Sequence, residues 1–225
     1  DMYWQMQVMP PIIEEMGIRA TLGISFIDAM SCETREEALH FINEFSASER
    51  TQLAIAPHAI YTVGAEMLEY YASLAQEKKM KLHIHVSETL REVEECVAKH
   101  GISPVAYLDR LGVLGPNVIA AHAIHLMEDD FQILADRGVI ISHCPCSNMK
   151  LSSGIFPMQQ ALNAGCRITL GTDGCSSNNN LDQKSINAQI QTIVTNKTSE
   201  LRHKLLQDYA LYCRRNVISY YSTWL

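Results

Sequence analysis

The chain has 225 residues, 47% of them hydrophobic, which is enough for one large core or two modest ones. Lys and Arg number 18 against 25 Asp and Glu, for a net charge of −7, and the basic residues cluster no further than pairs such as Lys78-Lys79, which excludes a nucleic-acid-binding surface of the electrostatic kind. No run nears the roughly 18 apolar residues of a membrane span, none has the make-up of a secretory leader, and seven cysteines without a CxxC pair suit free thiols in the cytoplasm.

The first eleven residues, DMYWQMQVMPP, show no clear helix start, and the chain reads as a cut into a longer protein. The first predicted strand is 18–24, followed by a helix over 33–45. A second strand at 52–56 runs into APHAIYT, which carries His58, and a helix over 64–79 leads to KLHIHVSET. In that third strand (80–86) side chains alternate, so His83 and His85 share one face while Leu82, Ile84 and Val86 share the other, and Glu88 follows three residues after His85. Helical patterns at 88–99 and 103–112 precede strand 117–121, which runs into AAHAIHL with His122 and His125. A helix over 127–137 leads to strand 138–142 and SHCPCSN with His143, and a helix over 155–164 leads to strand 166–170 and LGTDGCSSN with Asp173. Stretches 182–196 and 199–215 also have helical patterning. Gly17, Gly138 and Gly165 each stand between a helical pattern and a strand, where a left-handed cap is wanted.

Strands separated by single helices indicate βαβ units and a parallel sheet. A doubly wound nucleotide-binding sheet needs GxGxxG after its first strand, and Gly23-Ile24-Ser25 does not supply it; no GxxxxGK[ST] loop occurs either. A (β/α)-barrel instead collects its reactive residues beyond the C-terminal ends of several strands, and His58, His85, Glu88, His122, His143 and Asp173 all lie there.

Each has a plain structural alternative. A histidine in a βα loop is commonly just hydrogen-bonded, Glu88 could complement a helix dipole, and Asp173-Gly174 could be turn chemistry. His125 is expected to be structural and His83 to lie one layer deeper than His85. Jointly they fit metal-assisted hydrolysis: zinc takes imidazole and carboxylate ligands and acidifies a bound water, while side chains nearby move its protons. His85 and Asp173 suit the ligand positions, Asp173 also takes the water's proton, Glu88 protonates a ring nitrogen, and His122 holds the attacking oxygen.

IHVSET, AAHAIHL, SHCPCSNMKLSSGI and above all LGTDGCSSNNNLD resemble the amidohydrolase superfamily, nearest to its branch of methylthioadenosine/S-adenosylhomocysteine deaminases and chlorohydrolases. The resemblance spans residues 1–182 and implies a metal-dependent (β/α)8 TIM-type barrel, with 183–225 a helical segment of unclear relation to it. Counted back from Asp173 after strand eight, KLHIHV is strand five and 18–24 strand three. The expected fold is therefore α/β, an incomplete barrel lacking its first two strands, their HxH metal ligands and the family's β-sandwich domain.

By the same resemblance the catalytic residues are Glu88, His122 and Asp173, the substrate contacts are His58, Glu88 and Asp173, and the metal ligands are His85 and Asp173. The implied cofactor is Zn2+, or Fe2+ or Mn2+ in its place. The implied reaction is hydrolytic deamination of a purine-like ring or nucleoside, with a chlorohydrolase, a guanine- or cytosine-type deaminase or an inactive truncated barrel as alternatives. A small heterocyclic substrate is the expected partner, self-association is compatible with the family, and neither nucleic acid nor membrane is expected. Arginines that hold a homocysteine carboxylate are not both matched: Ile24 falls at one position and Arg35 near the other, which counts against S-adenosylhomocysteine.

Overall fold

The computed structural model describes residues 2–3 and 6–178. Seven strands, β1 (Met2–Tyr3), β2 (Ala20–Phe26), β3 (Thr51–Pro57), β4 (Lys81–Val86), β5 (Val118–His122), β6 (Ile140–His143) and β7 (Arg167–Leu170), form one sheet. Every pairing is parallel and the spatial order is the chain order. Helices α1 (Met9–Met16), α2 (Cys32–Glu44) and α3 (Ala65–Glu77) follow β1, β2 and β3 in turn. After β4 come α4 (Leu90–His100) and α5 (Pro104–Arg110); after β5, α6 (Glu128–Asp136); and between β6 and β7, α7 (Pro145–Lys150) and α8 (Met158–Asn163). The layout is an arc of a (β/α)8 barrel.

Six strands fall within about two residues of their expected positions. The two-residue β1 is an addition, too short for any periodicity to announce it. Helix α1 overturns the expectation that the N-terminal stretch has no helix start: Pro10 and Pro11 occupy its first turn, where a proline's missing N–H costs nothing. Helix α7 was also missed, although Pro145 marks its first turn. Gly17, Gly138 and Gly165 adopt φ of 68°, 65° and 80°, as the expected caps require. The expected helices at 182–196 and 199–215, and the boundary between 1–182 and 183–225, lie outside the described residues. Among the described residues no helix is long and apolar enough to cross a membrane.

The core lies between sheet and helices. Leu22, Ile24 and Phe26 of β2, Ile55 of β3, Leu82, Ile84 and Val86 of β4, and Ile141 and Ile168 on β6 and β7 all pack there. Phe26 stacks on Tyr71 of α3 at 4.2 Å. Burying each of these aliphatics contributes roughly 1.5–3 kcal/mol. Ile24 thus faces the helices, which corrects its expected placement at a substrate-facing position. The alternation splits β4 as expected: Leu82, Ile84 and Val86 are fully buried, while His83 and His85 retain partial exposure on the lumen side. In register with His85 on that face are Ala121, Ser142 and Thr169, small side chains that leave room in front of its ring.

Candidate active site

His85 is the last but one residue of β4, with Nδ1 2.8 Å from the carbonyl oxygen of His58. A carbonyl only accepts, so Nδ1 carries the proton and the Nε2 lone pair is left for the lumen. His58 is fixed in the same sense. Its Nδ1 lies 3.0 Å from Thr62 Oγ1, whose one hydrogen goes to the Ala59 carbonyl, so the hydroxyl accepts from the imidazole. The ring centroids of His58 and His85 are 4.8 Å apart. Desolvation lowers the pKa of both, and the hydrogen bond to the His58 carbonyl opposes it at His85.

His122 is 2% exposed and its ring stacks on that of His85 at 5.5 Å with an 18° interplanar angle. Strict alternation would send it the other way, because it is in register with Val86, a helix-facing residue. Its φ of 71°, followed by 50° at Ala123, closes the strand and re-aims the side chain. Ser87 (50°) and Asp173 (60°) share this left-handed backbone, which costs a side-chain-bearing residue roughly 1–2 kcal/mol. Such strain concentrated at strand ends is a mark of a working site. His122 Nδ1 meets Asn148 Oδ1 at 2.8 Å, and its Nε2 lies 3.7 Å from Glu88 Oε2.

Glu88 stands just before α4, whose N-cap is Thr89, so it does not serve as a helix-dipole carboxylate inside the first turn. Its backbone N–H and that of Ser87 donate to the two oxygens of Glu92, at 2.9 and 2.8 Å. Burial pushes the Glu92 carboxyl up to about 7, against the pull of those two N–H groups.

Asp173 follows β7. Its Oδ2 accepts from Ser147 Oγ at 2.5 Å and Ser177 Oγ at 2.8 Å, and its Oδ1 accepts from Gly174 N at 2.7 Å. Burial opposes its ionisation, but these three donors and His122 outweigh it and the pKa is lowered. The carboxylate also favours the protonated form of His85, against the desolvation that lowers its pKa. Close packing holds the loop down: a Cβ on Gly171 would meet Cys144 Sγ and Ser142 Oγ, each at 2.7 Å.

The structure therefore joins His58, His85 and His122 by ring contacts and brings Glu88 to 3.7 Å from His122, while Asp173 is tied to Ser147 of α7, the neighbour of the Asn148 that meets His122. His125 is structural, its Nε2 bonded to the Ser153 carbonyl at 2.6 Å. His143 does not join; its ring packs on Phe156. A cleft of about 420 Å³ beside the site, lined by Asp28, Tyr61, Thr62 and Lys99 among others, includes none of the five. Sequence reading missed Glu92, Ser147, Asn148 and Ser177. Thr89-x-x-Glu92 is a capping-box spacing that could have flagged Glu92, although its carboxylate reaches Ser87 and Glu88 rather than Thr89.

As a metal site the donors fit in part. His85 offers a free imidazole nitrogen and Asp173 Oδ1 one unused lone pair, a chemically apt nitrogen–oxygen pair. Among the described residues no group of three His, Cys, Asp or Glu could hold an ion.

A parallel βα arc with imidazoles and carboxylates at its strand ends defines a barrel of the metal-dependent hydrolase type. The chain belongs to the amidohydrolase family, which matches it over residues 7–217. It is 43% identical over 189 residues to the 5′-deoxyadenosine deaminase of Methanothermobacter thermautotrophicus, covering 81% of this chain and 44% of that protein. It is 38% identical over 204 residues to the 5-methylthioadenosine/S-adenosylhomocysteine deaminase of Thermodesulfovibrio yellowstonii, covering 87% of this chain and 46% of that protein. A crystal structure of an adenosine deaminase from Xanthomonas campestris with bound zinc superposes with a TM-score of 0.79 at 36% identity, covering 84% of this chain and 45% of that one. The chain thus spans somewhat under half the length of the relatives it matches.

Proposed function

We propose that the protein contributes the greater part of the active site of a hydrolytic deaminase acting on adenine-bearing nucleosides such as 5′-deoxyadenosine or methylthioadenosine. The observation that carries this is Glu88 at 3.7 Å from His122, with His122 stacked on the His85 ring whose Nδ1 is committed to a carbonyl. Glu88 donates its proton to a ring nitrogen, which makes the amine-bearing carbon electrophilic. Water adds to that carbon; Asp173 takes the proton the water loses, and His122 holds the incoming oxygen in line. The carbon–nitrogen bond then breaks, the amine leaves as ammonia with the proton Asp173 had taken, and the added oxygen gives its remaining proton back to Glu88 as the ring carbonyl forms. His58, with Nδ1 committed to Thr62, presents Nε2 to the substrate. His85 and Asp173 would hold a zinc ion, which when bound lowers the pKa of a water from about 15.7 toward about 7.

The test is ammonia release from 5′-deoxyadenosine and methylthioadenosine with zinc supplied. It compares the 225-residue chain with a chimera carrying residues 7–178 in place of the matching segment of the Methanothermobacter relative. The chimera should turn over. Asp173→Asn in it should abolish turnover, and Glu88→Gln should reduce it by 10²-fold or more, the scale of a lost general acid. An active Asp173→Asn chimera would remove the proposed proton carrier. Release of chloride from a chlorinated ring without deamination would assign the site to the other branch.

A further inference from the structure

The short helix α7 meets both sides of the site through two consecutive residues: Ser147 donates to Asp173, and Asn148 faces His122. Asn148 is 1% exposed, and its own backbone is committed, its N–H to the Cys144 carbonyl at 2.9 Å and its carbonyl to the Ser153 N–H at 2.8 Å. Only its side chain is left to act. The amide oxygen lies 2.8 Å from His122 Nδ1, while the amide nitrogen is buried with no partner.

We propose that Asn148 is the positioning residue that selects the tautomer of His122, its amide oxygen accepting a hydrogen bond from Nδ1–H so that the Nε2 lone pair faces the cavity beside Glu88. With the amide reversed, its nitrogen would donate to Nδ1 and the imidazole proton would sit on Nε2, aimed at Glu88 across 3.7 Å, too far for a good hydrogen bond. The two states do different chemistry. An unprotonated Nε2 accepts a hydrogen bond from the attacking water and so holds its oxygen in line; a protonated one can only donate. The left-handed backbone at His122 and Ala123 aims the ring, and Asn148 then decides which nitrogen is basic. Asn148 touches no reacting atom in this scheme and acts through His122 alone. The tautomer's consequence for catalysis rests on the deaminase reading above, but its assignment does not.

The test is a two-bond 1H–15N correlation spectrum of the 225-residue chain labelled at histidine, with the His122 signals identified by their loss in His122→Gln. The expected result is a pyrrole-type Nδ1 and a pyridine-type Nε2. Asn148→Leu, which removes the acceptor at similar volume, should move the proton wholly or partly to Nε2. Asn148→Asp, whose carboxylate also accepts from Nδ1, should keep the proton on Nδ1. A pyrrole-type Nε2 in the unaltered chain overturns the proposal, as does an unchanged pattern in a folded Asn148→Leu protein. If Asn148→Leu does not fold, the unaltered chain and Asn148→Asp still decide. Failed ammonia release beside the expected spectrum would count against the deaminase reading and leave the tautomer assignment standing.

Discussion

His143 shows how much a single buried nitrogen can govern. Its Nδ1 is buried without a hydrogen-bond partner, its ring lies 4.9 Å from that of Phe156, and desolvation, helped by His122, pulls its pKa down to about 3. A histidine lowered from its ordinary 6.5 lends stability that is complete above that pH and is lost as pH falls toward about 3, because the unfolded chain takes the proton first. At pH 4 the loss is on the order of 3 kcal/mol. His143→Leu, which keeps an apolar contact for Phe156, should lose less stability than the unaltered chain between pH 7 and pH 4, measured by urea unfolding at each pH. Equal losses would mean that other groups carry the acid sensitivity. At this scale the sequence was informative about the reactive side chains and silent about their partners. His58, His85, Glu88, His122 and Asp173 stand out because each follows an apolar run. Ser147 and Asn148 meet Asp173 and His122 across 26 residues of chain, and no local pattern encodes such a meeting. The position of His122 just past an apolar run marks it, but strand alternation alone sends it to the wrong side; a left-handed φ is not written in an Ala-His-Ala segment.

At the scale of elements, the start of α4 does more than cap a helix. Thr89 accepts from the Glu92 N–H in the ordinary way, while the Glu92 carboxylate reaches past the cap to hold Ser87 and Glu88. Its pKa is raised to about 7, so its contribution to stability is complete below the ordinary 4.5 and lost as pH rises through about 7. Glu92→Gln cannot ionise, and it sets an amide N–H against a backbone N–H, a mismatch of about 1–3 kcal/mol. Its stability deficit should therefore be widest near pH 5 and should narrow by up to about 3 kcal/mol toward pH 8. Urea midpoints across that range would check this, and a deficit that widens with pH would mean the two N–H groups outweigh burial. The long elements were legible because β2 to β7 and α2 to α6 repeat their apolar residues often enough to show a period. Helix α7 has only six residues and begins inside a strand-end motif, so its proline was read as part of a loop.

For the whole molecule, the ligand set is the decisive quantity. A catalytic zinc site takes about three protein ligands besides water, and among the described residues no three His, Cys, Asp or Glu side chains are grouped to hold an ion. The 225-residue chain dialysed against zinc should therefore retain much less than one ion per molecule, while the chimera that supplies the rest of the relative's barrel should retain close to one, both read by elemental analysis. Full occupancy in the chain alone would place a ligand outside the residues described. The sheet itself has a consequence for how the chain is made. Because its spatial order is its chain order, no strand waits for a partner that has yet to be synthesised. As the polypeptide leaves the ribosome, β3 finds β2 already present, β4 finds β3, and each closure spans a single βα unit, at an entropic cost that changes little from step to step. An exposed strand edge, the usual seed of aggregation, is covered by the next strand within one unit of translation. The pairings should then appear in the order in which the codons are read, and the half of the site that depends on α7 and Asp173 should be the last to assemble.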